Sequence, residues 1–142
     1  MTKLAICALF AAMLPAQEPH LTTVSVEHRN TYHVLGKVFT FSVTDARLNT
    51  SPSWRLPHAD RLPLSVEKAV RISEAELRKY VSDPYRWRPS QIAIRALGKQ
   101  SRWYYVIEWY PDWEGYVGDG IGIPILMTGE VVALEVAVDQ TP

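Results

Sequence analysis

The sequence predicts an α+β protein in which an antiparallel sheet of four to five strands packs on one amphipathic helix. Three observations support this fold class. Polar and apolar residues alternate along several short segments, as they do in half-buried strands. Residues 64–82 instead repeat apolar side chains every three or four positions, as an amphipathic helix does. The chain has 142 residues, a length that suits one domain.

The first sixteen residues match a secretory signal peptide. Lys3 supplies the positive charge, residues 4–14 are apolar and uncharged, and Ala16 suits the cleavage site. The apolar run is shorter than the roughly 20 residues that a membrane-spanning helix requires. We therefore expect residues 1–16 to be removed and the mature chain to be secreted or periplasmic, with no integral membrane segment. The single cysteine, Cys7, lies in the part that is removed.

The mature chain divides into an N-terminal segment (17–36), a single α+β domain (37–138) and a short tail (139–142). Residues 21–28 alternate weakly and predict an edge strand. Residues 37–44 form the clearest strand pattern, with Phe39, Phe41 and Val43 on one face and polar residues on the other. The connection that follows, 45–63, contains three prolines and is predicted to be irregular.

The predicted helix begins after Ser65, a residue that accepts hydrogen bonds well at a helix N-terminus. Glu67 stands in the first turn, where the helix dipole favours a carboxylate. Asp83–Pro84 ends the helix, because proline disfavours helical backbone in the residue before it.

Further strands are predicted at 92–97, 103–110, 121–127 and 130–138. In the second of these, Trp103, Tyr105, Ile107 and Trp109 share one face, which we expect to pack under the helix. The short Thr128–Gly129 turn predicts that the last two strands pair as an antiparallel hairpin.

The segment from the 64–82 helix to the terminal Ile-Leu-Met-Thr-Gly-Glu-Val-Val sequence resembles small exported bacterial domains of the PepSY and cystatin-like kind. A Phe-Ser-Val-Thr-Asp segment at 41–45 ahead of a Pro-Leu-Ser helix start at 63–65 is similar to such exported proteins. The resemblance covers about residues 37–138. It implies a helix-on-sheet fold and a location in the bacterial envelope, and it implies no catalytic residues.

Composition and charge argue against several functional classes. Fifteen basic residues balance fifteen acidic ones, so the chain lacks the excess of positive charge typical of nucleic-acid binders. Without Cys7 there is no thiolate for a metal or a nucleophile. His28 and His33 are five residues apart, which places them on opposite faces of a strand. No catalytic or cofactor-binding motif occurs, so we expect no catalytic residues, no cofactor and no metal.

The loop at 111–120 contains the candidate binding residues. Trp113 and Tyr116 lie outside the alternation of the preceding strand, so they are available for a ligand. Asp112, Glu114 and Asp119 add three carboxylates. Their oxygens suit calcium, but their spacing does not match the EF-hand loop, and a solvated glycine-rich hairpin loop is the interpretation we favour.

These observations predict a small non-catalytic binding or interaction module with a peptide, protein or glycan as its partner. The alternative is an envelope hydrolase in which the same three loop carboxylates act as acid and base. A pocket on which the carboxylates converge would favour the hydrolase.

Overall fold

A computed structural model describes residues 27–55, 61–97 and 102–140. The predicted signal peptide and residues 21–26 of the predicted first strand lie outside the described residues. In chain order the described elements are β1 (Glu27–Val34), β2 (Lys37–Thr44), α1 (Asp45–Leu48), α2 (Val66–Leu77), a 3₁₀ turn (Pro84–Arg86), β3 (Trp87–Ala96), β4 (Trp103–Pro111), β5 (Ile121–Leu126) and β6 (Glu135–Val138).

The α+β class is confirmed, but the strands form two antiparallel sheets where one sheet of four to five strands was expected. Sheet A has the order β1-β2-β6, and sheet B has the order β3-β4-β5. β1 pairs with β2 along its whole length, from Glu27 opposite Thr44 to Val34 opposite Lys37. The strand at the end of the segment assigned as N-terminal is therefore part of the folded domain.

The predicted antiparallel hairpin of the last two strands forms only beside its turn, and the departure of the chain beyond it produces the second sheet. After the turn, Val131 makes a single bridge to Ile125 of β5. The chain then leaves sheet B, and β6 pairs with Lys37–Thr40 on the edge of β2 that β1 does not occupy. The short turn determines the direction of the chain over a few residues only, and the longer pairing of the last strand is with β2.

The helix begins as predicted and ends earlier. The Ser65 hydroxyl accepts from the backbone N–H of Lys68 at 3.3 Å, which confirms the N-cap. α2 ends at Leu77, and residues 78–80 continue as turns before Pro84 opens the 3₁₀ turn. The connection expected to be irregular contains α1, which is capped by the Thr44 hydroxyl.

Sheet B lies between α2 and sheet A, and β4 contacts both. On the helix side, the Tyr105 hydroxyl donates to the carbonyl of Leu64 at 2.8 Å, and the Trp109 indole N–H donates to Ser73 Oγ at 3.0 Å. On the other side, Tyr104 and Glu108 contact residues of β1. The alternation predicted for this strand therefore holds, with both of its faces covered.

Candidate functional site

An open cleft of about 510 Å³ lies where the β1–β2 hairpin, the segment after α2 and one end of sheet B meet. Its lining combines apolar and aromatic side chains with two lysines and one carboxylate. The residues are Val34, Leu35, Lys37 and Phe39 from the hairpin, Lys79 to Asp83 from the segment after α2, and Trp87, Trp113 and Ile121 from sheet B and its loop. Concave, mostly apolar sites with a few polar groups are typical of ligand-binding pockets.

One wall of the cleft is held by a hydrogen-bonded group at the end of α2. The buried carboxylate of Glu76 accepts from the Lys79 ammonium at 2.6 Å and from the Tyr80 hydroxyl at 2.8 Å. Burial, followed by the contact with Glu76, raises the pKa of Tyr80 to about 12. The Tyr80 ring meets Phe39 edge to face, with centroids 5.9 Å apart. Glu76 thereby fixes the orientation of an aromatic wall.

Trp113, predicted from the sequence as a binding residue, lines this cleft. Its ring meets Trp87 edge to face at 6.4 Å, and the guanidinium of Arg86 lies 5.4 Å from its centroid. Its indole N–H is buried and has no acceptor among the described residues. The aromatic contacts place the indole, while its one polar atom contributes no hydrogen bond.

Tyr116, the second predicted aromatic residue, supports Trp113 without lining the cleft. Its ring contacts Trp113 at 5.9 Å and Tyr110 at 5.5 Å, both edge to face. Its hydroxyl donates to the carbonyl of Asp119 at 2.9 Å. Burial raises the pKa of Tyr116 above its ordinary value. This residue stabilises the loop that presents Trp113.

The three loop carboxylates do not come together. All three residues are exposed, and none of them lines the cleft. Asp112 forms an ion pair with Arg88, and Asp119 accepts from the backbone N–H of His33 at 3.3 Å. Within residues 27–55, 61–97 and 102–140, no three His, Cys, Asp or Glu side chains are arranged to hold a metal ion. The convergent pocket that the hydrolase alternative requires is not formed by these residues.

A second group of polar side chains lies between the two sheets, and the sequence reasoning missed it. Tyr32 of β1 donates from its hydroxyl to Glu108 of β4 at 3.3 Å. Two residues towards the start of β1, the Asn30 amide oxygen accepts from Arg95 of β3 at 3.1 Å when the amide is oriented to satisfy both its groups. Burial raises the pKa of Tyr32. The period-two sequence His-x-Asn-x-Tyr was the available signal, but the strand was predicted to end at residue 28.

His28 is the last member of this group along β1, and its hydrogen-bond partners require a neutral ring. Arg95 has only donors, so the contact of its Nη1 with His28 Nε2 at 3.5 Å requires the histidine nitrogen to accept. The ring proton is then on Nδ1, which faces the Tyr104 hydroxyl. Burial, and next the charge of Arg95, lower the pKa of His28, and burial raises the pKa of Tyr104 to about 12. These bonds join sheet A to sheet B.

Comparison of the chain with protein-family models, with curated proteins and with solved structures finds no match. The resemblance to PepSY and cystatin-like domains therefore stays a prediction. None of the helices in the described part of the chain is both long enough and apolar enough to span a membrane.

Proposed function

We propose that this chain is a small non-catalytic binding module whose ligand site is the cleft beside Trp113, and that its ligand is a segment of a peptide or protein. The observation that carries the proposal is the cleft itself. Its lining combines apolar and aromatic side chains with the charged residues Lys37, Lys79 and Asp83, and it includes Trp113, which stands outside the alternation of β4. Because residues 1–16 match a signal peptide, the proposal includes a location outside the cytoplasm.

Exposed apolar side chains at the hairpin support a macromolecular partner. Leu35 is 52% exposed and lines the cleft. Val136 and Val138 are 46% and 74% exposed, and they stand opposite Phe39 and Lys37 in the register of β2 and β6. Residues opposite each other in antiparallel strands share a face, so these valines extend the same face that forms the cleft wall. Exposed apolar surface that continues from a pocket is typical of binding sites.

The non-catalytic part of the proposal is supported by how the titratable groups are used. All three loop carboxylates are exposed, and Asp112 and Asp119 are bonded to different partners. The group around His28 and Glu108 joins the two sheets, and its residues do not line the cleft. Glu76, the buried acid beside the cleft, is bonded to both Lys79 and Tyr80. Apart from Glu114, these carboxylates and this histidine are bonded to other residues of the fold.

The test is capture of defined ligands by the immobilised chain. An array of blocked peptides and an array of oligosaccharides would be probed with the wild type, with Trp113→Ala and with Tyr85→Ala as the matched control. Tyr85 is 86% exposed and does not line the cleft, so its removal changes aromatic surface elsewhere. We expect the wild type and the control to bind a common set of peptides that Trp113→Ala binds at least tenfold more weakly, since central aromatic residues dominate such interfaces. Binding to oligosaccharides alone, or equal binding by all three proteins, would contradict the proposal.

A further inference from the structure

The turn between β1 and β2 has an unusual composition for its geometry. Val34 pairs with Lys37, so the turn consists of Leu35 and Gly36 alone. Leu35 has φ +50° and Gly36 has φ +71°. Two-residue turns with two positive φ angles favour Asn-Gly, Asp-Gly or Gly-Gly, because branched and bulky residues are disfavoured in the left-handed region. A leucine here destabilises the turn relative to asparagine.

The position of the Leu35 side chain gives a reason for this cost. It lines the cleft and is half exposed. It fills no place in the buried core, which includes its neighbour Val34. An apolar side chain that contributes little to the folded core, in a backbone conformation that disfavours it, indicates a contact with a partner.

The charges of the cleft lining are distributed between two walls. Lys79 is already bonded to Glu76. Lys37 on the hairpin and Asp83 after α2 are exposed, and neither forms an ion pair with any residue that the structure describes. The lining therefore presents, from two different elements, an ammonium and a carboxylate that have no ion-pair partner among the described residues, together with apolar and aromatic side chains.

We propose that the cleft binds an extended segment of a partner polypeptide in which an apolar side chain stands between an acidic and a basic side chain. The apolar side chain packs against Leu35 and the aromatic residues of the lining, the acidic one pairs with Lys37, and the basic one pairs with Asp83. This inference rests on the proposed function and adds the sequence class of the ligand. Charge pairs at the rim of an interface contribute mainly to selectivity, while the buried apolar contact contributes most of the affinity.

The first test uses three blocked pentapeptides and the full chain. They are acetyl-Gly-Glu-Phe-Lys-Gly-amide, its uncharged analogue with Gln in place of Glu and Lys, and an analogue with Gly in place of Phe. Binding is followed through the indole N–H signals of Trp87 and Trp113 by nuclear magnetic resonance. We expect the charged Phe peptide to bind about two- to fivefold more tightly than the uncharged one for each ion pair formed, and the peptide without Phe to cause no shift.

Charge-reversal variants identify the two pairs. Lys37→Glu and Asp83→Lys should each abolish the preference for the charged peptide, while Lys68→Glu, which changes a lysine of α2 outside the cleft lining, should retain it. Equal binding of the charged and uncharged Phe peptides would overturn the inference and leave the proposed function standing. Failure of the charged Phe peptide to shift the two indole signals would overturn the inference, whereas the proposed function is decided separately by the peptide array.

The variant Leu35→Asn separates recognition from folding. Asparagine is favoured in the left-handed region, so the variant should unfold at a higher urea concentration than the wild type. Its affinity for the charged Phe peptide should nevertheless fall at least threefold, because the apolar cover is lost. A residue with a purely structural role would not move stability and affinity in opposite directions. Unchanged affinity in the stabilised variant would remove Leu35 from the site.

Discussion

The ring of Tyr32 in β1 occupies the space that a side chain on Gly122 of β5 would need. A Cβ built on Gly122 overlaps the hydroxyl and the adjacent ring atoms of the tyrosine. The hydroxyl of Tyr32 donates to Glu108, and its ring packs against Phe41 with the two centroids 6.2 Å apart. The two sheets therefore approach each other at this point only because position 122 carries no side chain.

Substitution Gly122→Ala should destabilise the fold by about 1–3 kcal/mol, the usual range for overpacking. Urea unfolding measures this change. In the background Tyr32→Ala, the space is vacant, and Gly122→Ala should change stability by less than about 0.5 kcal/mol. This double-mutant cycle isolates the contact from any effect of alanine on β5 itself. An equal loss in both backgrounds would show that the tyrosine is not the cause.

Local features of the fold follow from the sequence because each depends on neighbouring residues. Ser65 starts α2 through a bond to a residue three positions away. The alternation of Phe39, Phe41 and Val43 gives a strand with one buried face, as observed. The pairing of β6 with β2 could not be predicted from the sequence. Alternation indicates which face of a strand is buried, but it does not identify the distant strand that pairs with it.

The residues of the cleft also differ in whether the sequence could predict them. Trp113 was identified because it stands outside the alternation of β4. Leu35 and Lys37 were not, because their importance depends on the turn conformation and on the distant segment after α2 that completes the cleft. Tyr116 was grouped with Trp113 by proximity in the chain, but its side chain points to the loop and bonds to Asp119.

Trp109 and Trp113 provide a pair of indoles whose replacement by phenylalanine should change stability to different extents. The Trp109 N–H donates to Ser73, so Trp109→Phe removes a buried hydrogen bond and should destabilise by about 1–2 kcal/mol. The Trp113 N–H is buried without an acceptor among the described residues, so Trp113→Phe should leave stability within about 0.5 kcal/mol. Thermal unfolding of the two variants checks the difference. A loss for Trp113→Phe as large as that for Trp109→Phe would contradict it.

The fold should weaken at alkaline pH because of Tyr80. Its folded pKa, about 12, lies above the ordinary value of 10.0, so between these values the unfolded state has lost a proton that the folded state retains. The stabilising contribution of Tyr80 is therefore fully present below pH 10, and it decreases as the pH rises towards 12. Unfolding by urea across this range, in the wild type and in Tyr80→Phe, measures the contribution.

Glu76→Gln tests the assignment of cause. Burial is the largest contribution to the raised pKa of Tyr80 and remains, so the pKa should fall towards 10 without reaching it. The ¹³C chemical shift of the Tyr80 Cζ reports the titration. Glu74→Gln is the control, because Glu74 pairs with Arg78 on the exposed side of α2. An identical Tyr80 titration in both variants would show that the carboxylate of Glu76 has no effect on it.

The fold should also weaken under mildly acidic conditions, through His28. Burial and the charge of Arg95 lower its folded pKa below 6.5, so as the pH falls from above 6.5 towards the folded pKa the unfolded state binds a proton that the folded state does not. The stabilising contribution of His28 is thus present above pH 6.5, and it is lost as the pH falls towards the folded pKa. Protonation also removes the acceptor that faces Arg95 and places two positive charges together between the sheets.

The measurement is the free energy of unfolding between pH 7.5 and pH 5 for the wild type and for His28→Gln, whose side chain does not titrate. The difference between the two curves should shrink as the pH falls, because only the wild type loses the contribution of His28. His33→Gln is the control on the opposite face of β1, where the ring contacts Asp139 and leaves the bonds of His28 to Arg95 and Tyr104 intact. Parallel curves for the wild type and His28→Gln would exclude His28 as a source of acid sensitivity.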